Sequence, residues 1–365
     1  MEYTEQEKYW IWLSSIDKIG VKRFYTLIAQ YGDAKSVYEN ARAGDPALES
    51  LGGIPASNLF ACRNDAYIDS LFRSLEKSGI AAVCRLNPDY PALLAECTDA
   101  PPVLYKKGSF PLDFDRSVAI VGTRVCTRYG KESTRKIACE LAGEGVVIVS
   151  GMARGIDSEA HEGALSAGGK TVAVLGCGVD VVYPPESRKL YDAIIENGAI
   201  LSEYAPGTQP ISQYFPARNR IISGMCDATI IIEAGDKSGA LITAGYALEQ
   251  GKDVYALPGN INSATSTGTN TLIRDGAAEL LMGSDQILMR YGKKVTKAAF
   301  EQISALVTDE VESAIVRYLA GGDAYFEQIM NNSGANAQSL NTALTMLELR
   351  GIIKQFPGRL FSLSK

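Results

Sequence analysis

The chain carries a single histidine, His161, in 365 residues, and its seven cysteines include no C-x-x-C pair. Without closely spaced thiolate or imidazole ligands there is no zinc signature, and no metal centre is expected. An odd number of cysteines in a chain of this length fits free thiols in a reducing compartment. No apolar run approaches the roughly 18 residues of a membrane span. The opening MEYTEQEKYW is acidic and polar where a signal peptide is basic and then apolar, so a cytoplasmic location is expected. Catalytic signatures are missing too. No G-x-S-x-G is present. GALSAGGKT has Ala164 where a P-loop needs its first glycine, and it stands between a helix and a strand in the wrong order. GCGVDV lacks the third glycine of a dinucleotide fingerprint. The expectation is therefore no catalytic residue and no cofactor. Basic excess is lacking as well: 36 Lys and Arg face 42 Asp and Glu, a net charge of −6. That argues against a general nucleic-acid coater and confines any such site to a local positive pocket.

What is present falls into three textures, with boundaries expected at 1–84, 85–292 and 305–365. The first is helical in its periodicity: YWIWLSSI, VKRFYTLIAQYG and IDSLFRSLEKSG, punctuated by Gly20 and Gly32. IDKIGVKRFYTLIAQYG reads as helix, turn and helix, and LGGIPASNLFA is a fainter second copy. This is either a helix-hairpin-helix that offers backbone N–H groups to phosphate or a plain helical packing module. A connector follows with Pro88, Pro91, Pro101 and Pro102, a density that favours an extended path across a surface.

From about Ser117 short β-branched runs end in glycine and alternate with helical stretches: SVAIVG, GVVIVSG, KTVAVLG, AILSEY, ATIIIEAG and DVYALPG. Near-continuous apolar strands of this kind are buried on both faces. The expected fold is α/β: a Rossmann-like, doubly wound parallel sheet, preceded by a helical domain. The tail adds three amphipathic segments and a hairpin GIIKQFPGRLFSL with its turn at Pro357-Gly358. That pattern suggests a winged helix, which serves equally as a DNA reader or a protein platform.

In a parallel sheet ligands gather beyond the carboxyl ends of the strands. The loops there are Gly122-Thr123-Arg124, Met152-Ala153-Arg154-Gly155 and Cys177-Gly178, and together they suggest a phosphate-binding rim. QYFPARNRIISG adds Arg218, Asn219 and Arg220 behind Tyr214, Phe215 and Pro216. Guanidinium groups pair with phosphate, and an aromatic ring stacks on an unpaired base unless it is core. Lys237, Ser238 and Gly239 stand just before another helix. Glu233 and Asp157 lie near strand ends as acids or ligands, and His161 reads as a packing residue.

As a set, VAIVGTR, SGMARGIDSEAHEGAL, GCGVDVVYP, LSEYAPGTQP, FPARNRIISG, EAGDKSGALITAGYALEQG and ALPGNI closely resemble the DNA-processing protein A family (DprA/Smf). The resemblance implies a non-enzymatic, homodimeric protein of natural transformation that binds and protects incoming single-stranded DNA and loads the RecA recombinase. It also implies a DNA pocket at Gly122, Thr123, Arg124, Ser150, Gly151, Gly176, Gly178, Phe215, Arg218, Asn219, Arg220, Lys237, Ser238 and Gly239. Within that pocket Arg124 and Arg220 are the foremost phosphate ligands, and Phe215 is the base contact. Cys126 stands where the family often has serine. The competing reading is a nucleotide phosphoribohydrolase on the same architecture, which needs a P-G-G-x-G-T-x-x-E stretch absent here. Another is a protein scaffold that recruits through the tail.

Overall fold

The computed structural model describes residues 3–291, 303–307, 309–356 and 358–363. Its contacts divide it into two compact units, one ending at Met282 and the other beginning at Gly283.

The first unit is built on nine strands: β1 (Ala81–Cys84), β2 (Val103–Lys107), β3 (Ser117–Val121), β4 (Val147–Ser150), β5 (Thr171–Val174), β6 (Ala199–Ser202), β7 (Ala228–Ile231), β8 (Asp253–Ala256) and β9 (Glu279–Leu280). Their spatial order is β1-β2-β6-β5-β4-β3-β7-β8-β9. From β6 to β9 every neighbouring pair is parallel. β3 to β7 are buried along their whole length, which accounts for their unbroken apolar runs. The chain steps outward from β3 to β6, returns to the other side of β3 with β7, and steps outward again. The crevice of a doubly wound sheet therefore opens beyond the carboxyl ends of β3 and β7.

The sheet departs from the purely parallel expectation at one edge. β2 runs antiparallel to both β1 and β6. It comes from the proline-rich connector, which the sequence reading sent across the surface. Leu104 and Tyr105 are wholly buried, and the four prolines flank the two strands without interrupting either, so no ladder hydrogen bond is lost.

The helical region carries helices Glu5–Ser15, Val21–Tyr31, Ala34–Asn40, Pro46–Leu51, Gly53–Cys62 and Asp65–Lys77. Thr4 begins the first with a reciprocal capping box to Glu7. Trp12, Leu13, Phe24 and Leu27 are fully buried in one hydrophobic cluster with Tyr105, Ile194 and Ile200 of the sheet layer. Each such side chain contributes roughly 1.5–3 kcal/mol by burial. The cluster runs across the division expected at residue 84, so helices and sheet edge share a core.

The second unit contains helices Ser284–Arg290, Glu310–Leu319, Phe326–Ser333 and Ala337–Leu349. Among its described residues the short strands are β10 (Ala324–Tyr325), β11 (Ile353–Phe356) and β12 (Leu360–Leu363), in the order β10-β12-β11. Ile315, Leu319, Ile329, Leu340, Leu347, Ile353 and Phe361 form its core. The hairpin turn expected at Pro357-Gly358 includes Pro357, which lies outside the described residues.

Candidate nucleic-acid interface

The loops beyond β3, β4, β5 and β7 meet on one edge of the sheet. Thr123 N–H donates to the Glu233 carbonyl at 2.7 Å, which joins the loops after β3 and β7. Gly155, at φ +76°, lets the loop after β4 close on the first loop, because a Cβ there would lie 2.4 Å from the Thr123 carbonyl oxygen. Gly122 is packed as tightly, against Ile156 and the Glu233 backbone. The Thr123 hydroxyl accepts from Val125 N–H at 3.3 Å and fixes the turn that lifts Arg124 and Val125 into solvent.

Helix Tyr214–Gly224 brings the QYFPARNRIISG residues to this edge. Phe215 is half-buried, and the Arg124 guanidinium lies over its ring at 5.6 Å from the centroid. Tyr183 tilts against the same ring at 5.2 Å, and Tyr204 stacks on Tyr214 at 4.0 Å. Gly176 gives Phe215 its place, since a Cβ there would come within 3.0 Å of the ring. The result is a band of aromatic rings beside an exposed guanidinium. Tyr183 and Tyr204 were not singled out from the sequence. The signal available was their position just past β5 and β6, in the loops that reach this edge.

Arg218 and Arg220 are placed otherwise than expected. Both are buried. Arg218 Nη1 donates to the carbonyls of Gly151, at 2.8 Å, and of Val174, so it ties together the ends of β4 and β5. Gly151 is required there, for a Cβ would meet the guanidinium at 2.4 Å. Arg220 makes a two-pronged pair with Glu203, at 3.1 and 2.7 Å, and reaches Asp99 at 3.3 Å. Its expected place as a foremost phosphate ligand does not suit this geometry: the buried guanidinium is spent on the enclosed Glu203 and the half-exposed Asp99. Ser150 likewise turns inward and donates to the Ile120 carbonyl at 2.6 Å. Gly178 is buried against the loop after β6, its N–H donating to the Thr208 carbonyl. Asn219 Nδ2 donates to the Gly239 carbonyl at 3.3 Å, which links this helix to the last candidate loop. There Lys237 and Gly239 are exposed, and the Ser238 hydroxyl caps helix Gly239–Glu249 by accepting from Ala240 N–H. Arg124 and Lys237 have no ion-pair partner among the described residues.

The remaining acids and the histidine have structural duties. Glu233, 2% exposed, accepts from Thr127 N–H at 2.8 Å, from the Thr127 hydroxyl at 2.6 Å and from the Thr265 hydroxyl at 3.3 Å. Thr127 is the N-cap of helix Arg128–Gly143, so the carboxylate covers the very helix end that a phosphate would seek. Asp157 is buried close to Arg218, and burial raises its carboxyl to about 6 against the pull of that guanidinium. His161 is wholly buried, and its Nδ1 lies 2.7 Å from the Thr171 hydroxyl. That hydroxyl donates to the Ile148 carbonyl, so Nδ1 carries the proton and Nε2 has no hydrogen-bond partner among the described residues. Burial first, and Arg218 second, hold the imidazole at about 3. A cleft of about 1080 Å³ is lined by Lys8, Arg73, Glu76, Ala81 and Lys106, among others. It belongs to the opposite edge of the sheet, where β1 begins and β2 ends. No helix among the described residues is long and apolar enough to cross a membrane.

Comparison with known proteins agrees with this architecture. A family model described as DNA recombination-mediator protein A matches residues 81–292, from β1 to just beyond β9. The DNA processing protein DprA of Streptococcus pneumoniae is 43% identical over 242 residues, 64% of this chain and 85% of its own. Protein Smf of Synechocystis is 38% identical over 297 residues, 79% of this chain and 73% of its own. Among solved structures, the X-ray structure of the Streptococcus pneumoniae protein superposes with a TM-score of 0.64 at 36% identity and covers 79% of this chain and 98% of that one. A structure of DNA processing protein A from Helicobacter pylori, concerned with that protein's single-stranded DNA binding mode, gives 0.52 at 36% identity, covering 57% and 94%. The chain belongs to the DNA recombination-mediator protein A family, DprA/Smf.

Proposed function

We propose that this chain binds single-stranded DNA along the carboxyl ends of β3 to β7 and hands it on as a recombination mediator. The observation that carries the reading is Arg124: a solvent-exposed guanidinium held over the half-buried ring of Phe215, at the crevice of the sheet. A cation and a π face side by side suit a phosphate followed by an unstacked base. Lys237, Ser238 and Gly239 offer a second phosphate position at a solvent-facing helix start, where Lys237 and Gly239 are exposed. Gly122, Thr123, Gly151, Gly176, Gly178 and Asn219 shape the surface, and Ser150, Arg218 and Arg220 support it from within. Delivery of the strand to RecA, action as a homodimer in the cytoplasm, protection of incoming DNA during natural transformation and a winged-helix role for the tail complete the proposal.

The test is fluorescence anisotropy with a labelled oligo-dT, competed by duplex of equal length. Arg124→Ala should weaken single-strand binding by about 1–3 kcal/mol, the scale of a lost charge-assisted contact. Equal binding by the variant and the parent chain would remove Arg124 from the site. Because the exposed cations there are few, salt should weaken binding only gently. Two neutralised phosphates correspond to a slope of about −1.4 in log K against log salt, and a slope several times steeper would call for a basic surface elsewhere.

A further inference from the structure

One cavity on the same edge is not used by the Arg124 and Phe215 surface. It measures about 490 Å³ and lies one strand further along, between the start of helix Arg128–Gly143 and the loop after β8. Thr127, Tyr129, Glu233, Pro258, Asn260 and Ser263 line it. Its volume falls in the range of small-molecule sites and suits a single nucleoside.

The walls are firm. Tyr129 donates its hydroxyl to the Pro258 carbonyl at 3.0 Å, which pins the ring across the mouth. Asn270 grips Gly259 at both its N–H, 3.1 Å, and its carbonyl, 3.0 Å. The Asn260 carboxamide accepts from Asn262 N–H at 2.9 Å. Beside this loop Ile261 stands 86% exposed.

The chemistry of the lining selects the ligand. Among the described residues no cation lines the cavity, and a buried carboxylate does, so a phosphate would be repelled. Glu233 receives three hydrogen bonds from the chain, which leaves about one of a carboxylate's four lone-pair positions for a donor. Asn260 and Ser263 add neutral polar groups. The half-exposed ring of Tyr129 offers a stacking face, being 49% accessible. A neutral aromatic ring with an N–H edge answers each of these features. Thr127 is three residues from Arg124, and three residues reach at most about 11 Å, so a strand held at Arg124 has a neighbouring base within range.

We infer that this cavity is a second base-binding pocket, in which an unpaired base of the bound strand stacks on Tyr129 with its polar edge toward Glu233. The inference rests on the single-stranded DNA reading above, and the experiment separates the two. Anisotropy with labelled oligo-dT is measured on the full chain for Tyr129→Ala, Tyr129→Phe and Arg124→Ala. Oligo-dT carrying 5-iodouracil is then photocrosslinked to the unaltered chain and the modified peptide mapped. Tyr129→Ala should weaken binding about tenfold, within the range of one lost base stack. Tyr129→Phe should bind as the parent does, and the crosslink should fall on the peptide containing Tyr129. If Tyr129→Phe loses as much as Tyr129→Ala, the effect belongs to the bond with Pro258 and the stacking role is overturned. If Arg124→Ala weakens binding while Tyr129→Ala does not, the pocket is refuted and the main surface stands. If no variant differs from the parent, or the parent fails to bind, both readings fall.

Discussion

Replacing Arg218 with alanine should cost the chain about 3–5 kcal/mol of stability, seen as a lower urea midpoint with an unchanged slope. The side chain is 3% exposed and donates to the carbonyls of Gly151 and Val174 at the ends of two central strands. Its loss withdraws those donors, opens a cavity and leaves the Asp157 carboxylate without its nearest compensating charge. Two comparisons separate these contributions. Adding Asp157→Asn to Arg218→Ala should recover part of the loss, because the uncompensated charge goes with it. Arg220→Ala should destabilise by a different route, stranding Glu203, whose carboxyl burial already pushes up. A near-neutral Arg218→Ala would mean that the guanidinium is dispensable inside the fold and restore it as a candidate phosphate ligand.

The single histidine should stay neutral far below its ordinary range. Its imidazole sits at about 3 in the folded chain against an ordinary 6.5. A group depressed in this way stabilises the fold above 6.5, and the stability is lost as pH falls from 6.5 toward 3, at about 1.4 kcal/mol per unit. Asp157 acts in the opposite sense. Its carboxyl is raised to about 6 from 3.8, so the fold gains stability as pH falls through that window. Between pH 6 and 4 unfolding releases one proton and takes up another, and these two groups together leave stability flat. Asp157→Asn should unmask the histidine, giving a steady decline of about 1.4 kcal/mol per unit over the same interval. NMR of the imidazole protons reads the site directly, since His161 is the only histidine. Its signals should not move between pH 8 and 4, and a midpoint near 6 would show that the ring reaches solvent.

The contrast between the strands and the arginines shows what sequence conveys. Six short β-branched runs, five of them ending in glycine, marked β3 to β8, because strands buried between two layers are largely apolar. β1 and β2 were hidden by their surroundings: AAVC closes a helical stretch, and VLYKK follows two prolines. The site was legible as a set of loops but not as a set of side-chain directions. Arg218 and Arg220 are two residues apart on one helix, and such positions do not share a face. One guanidinium goes to the strand ends and the other to Glu203 and Asp99, whereas the sequence presents them as a pair. Glu203 directly after β6 and Asp99 in the connector were the available clues to an internal partner. Pairing so distant in the chain cannot be assigned from spacing alone.

Glu233 carries a wider consequence. A nucleotide-binding sheet of this topology leaves its first helix start uncompensated until a ligand's phosphate arrives, and part of the binding energy goes into settling the surrounding loops. Here the compensating anion is built into the chain and is permanently in place over Thr127 and Gly130. The loops after β3 and β7 and the start of this helix are thereby joined by hydrogen bonds made within the chain itself. On the single-stranded DNA reading proposed above, an arriving strand would meet loops already tied together and would lose little to ordering the protein.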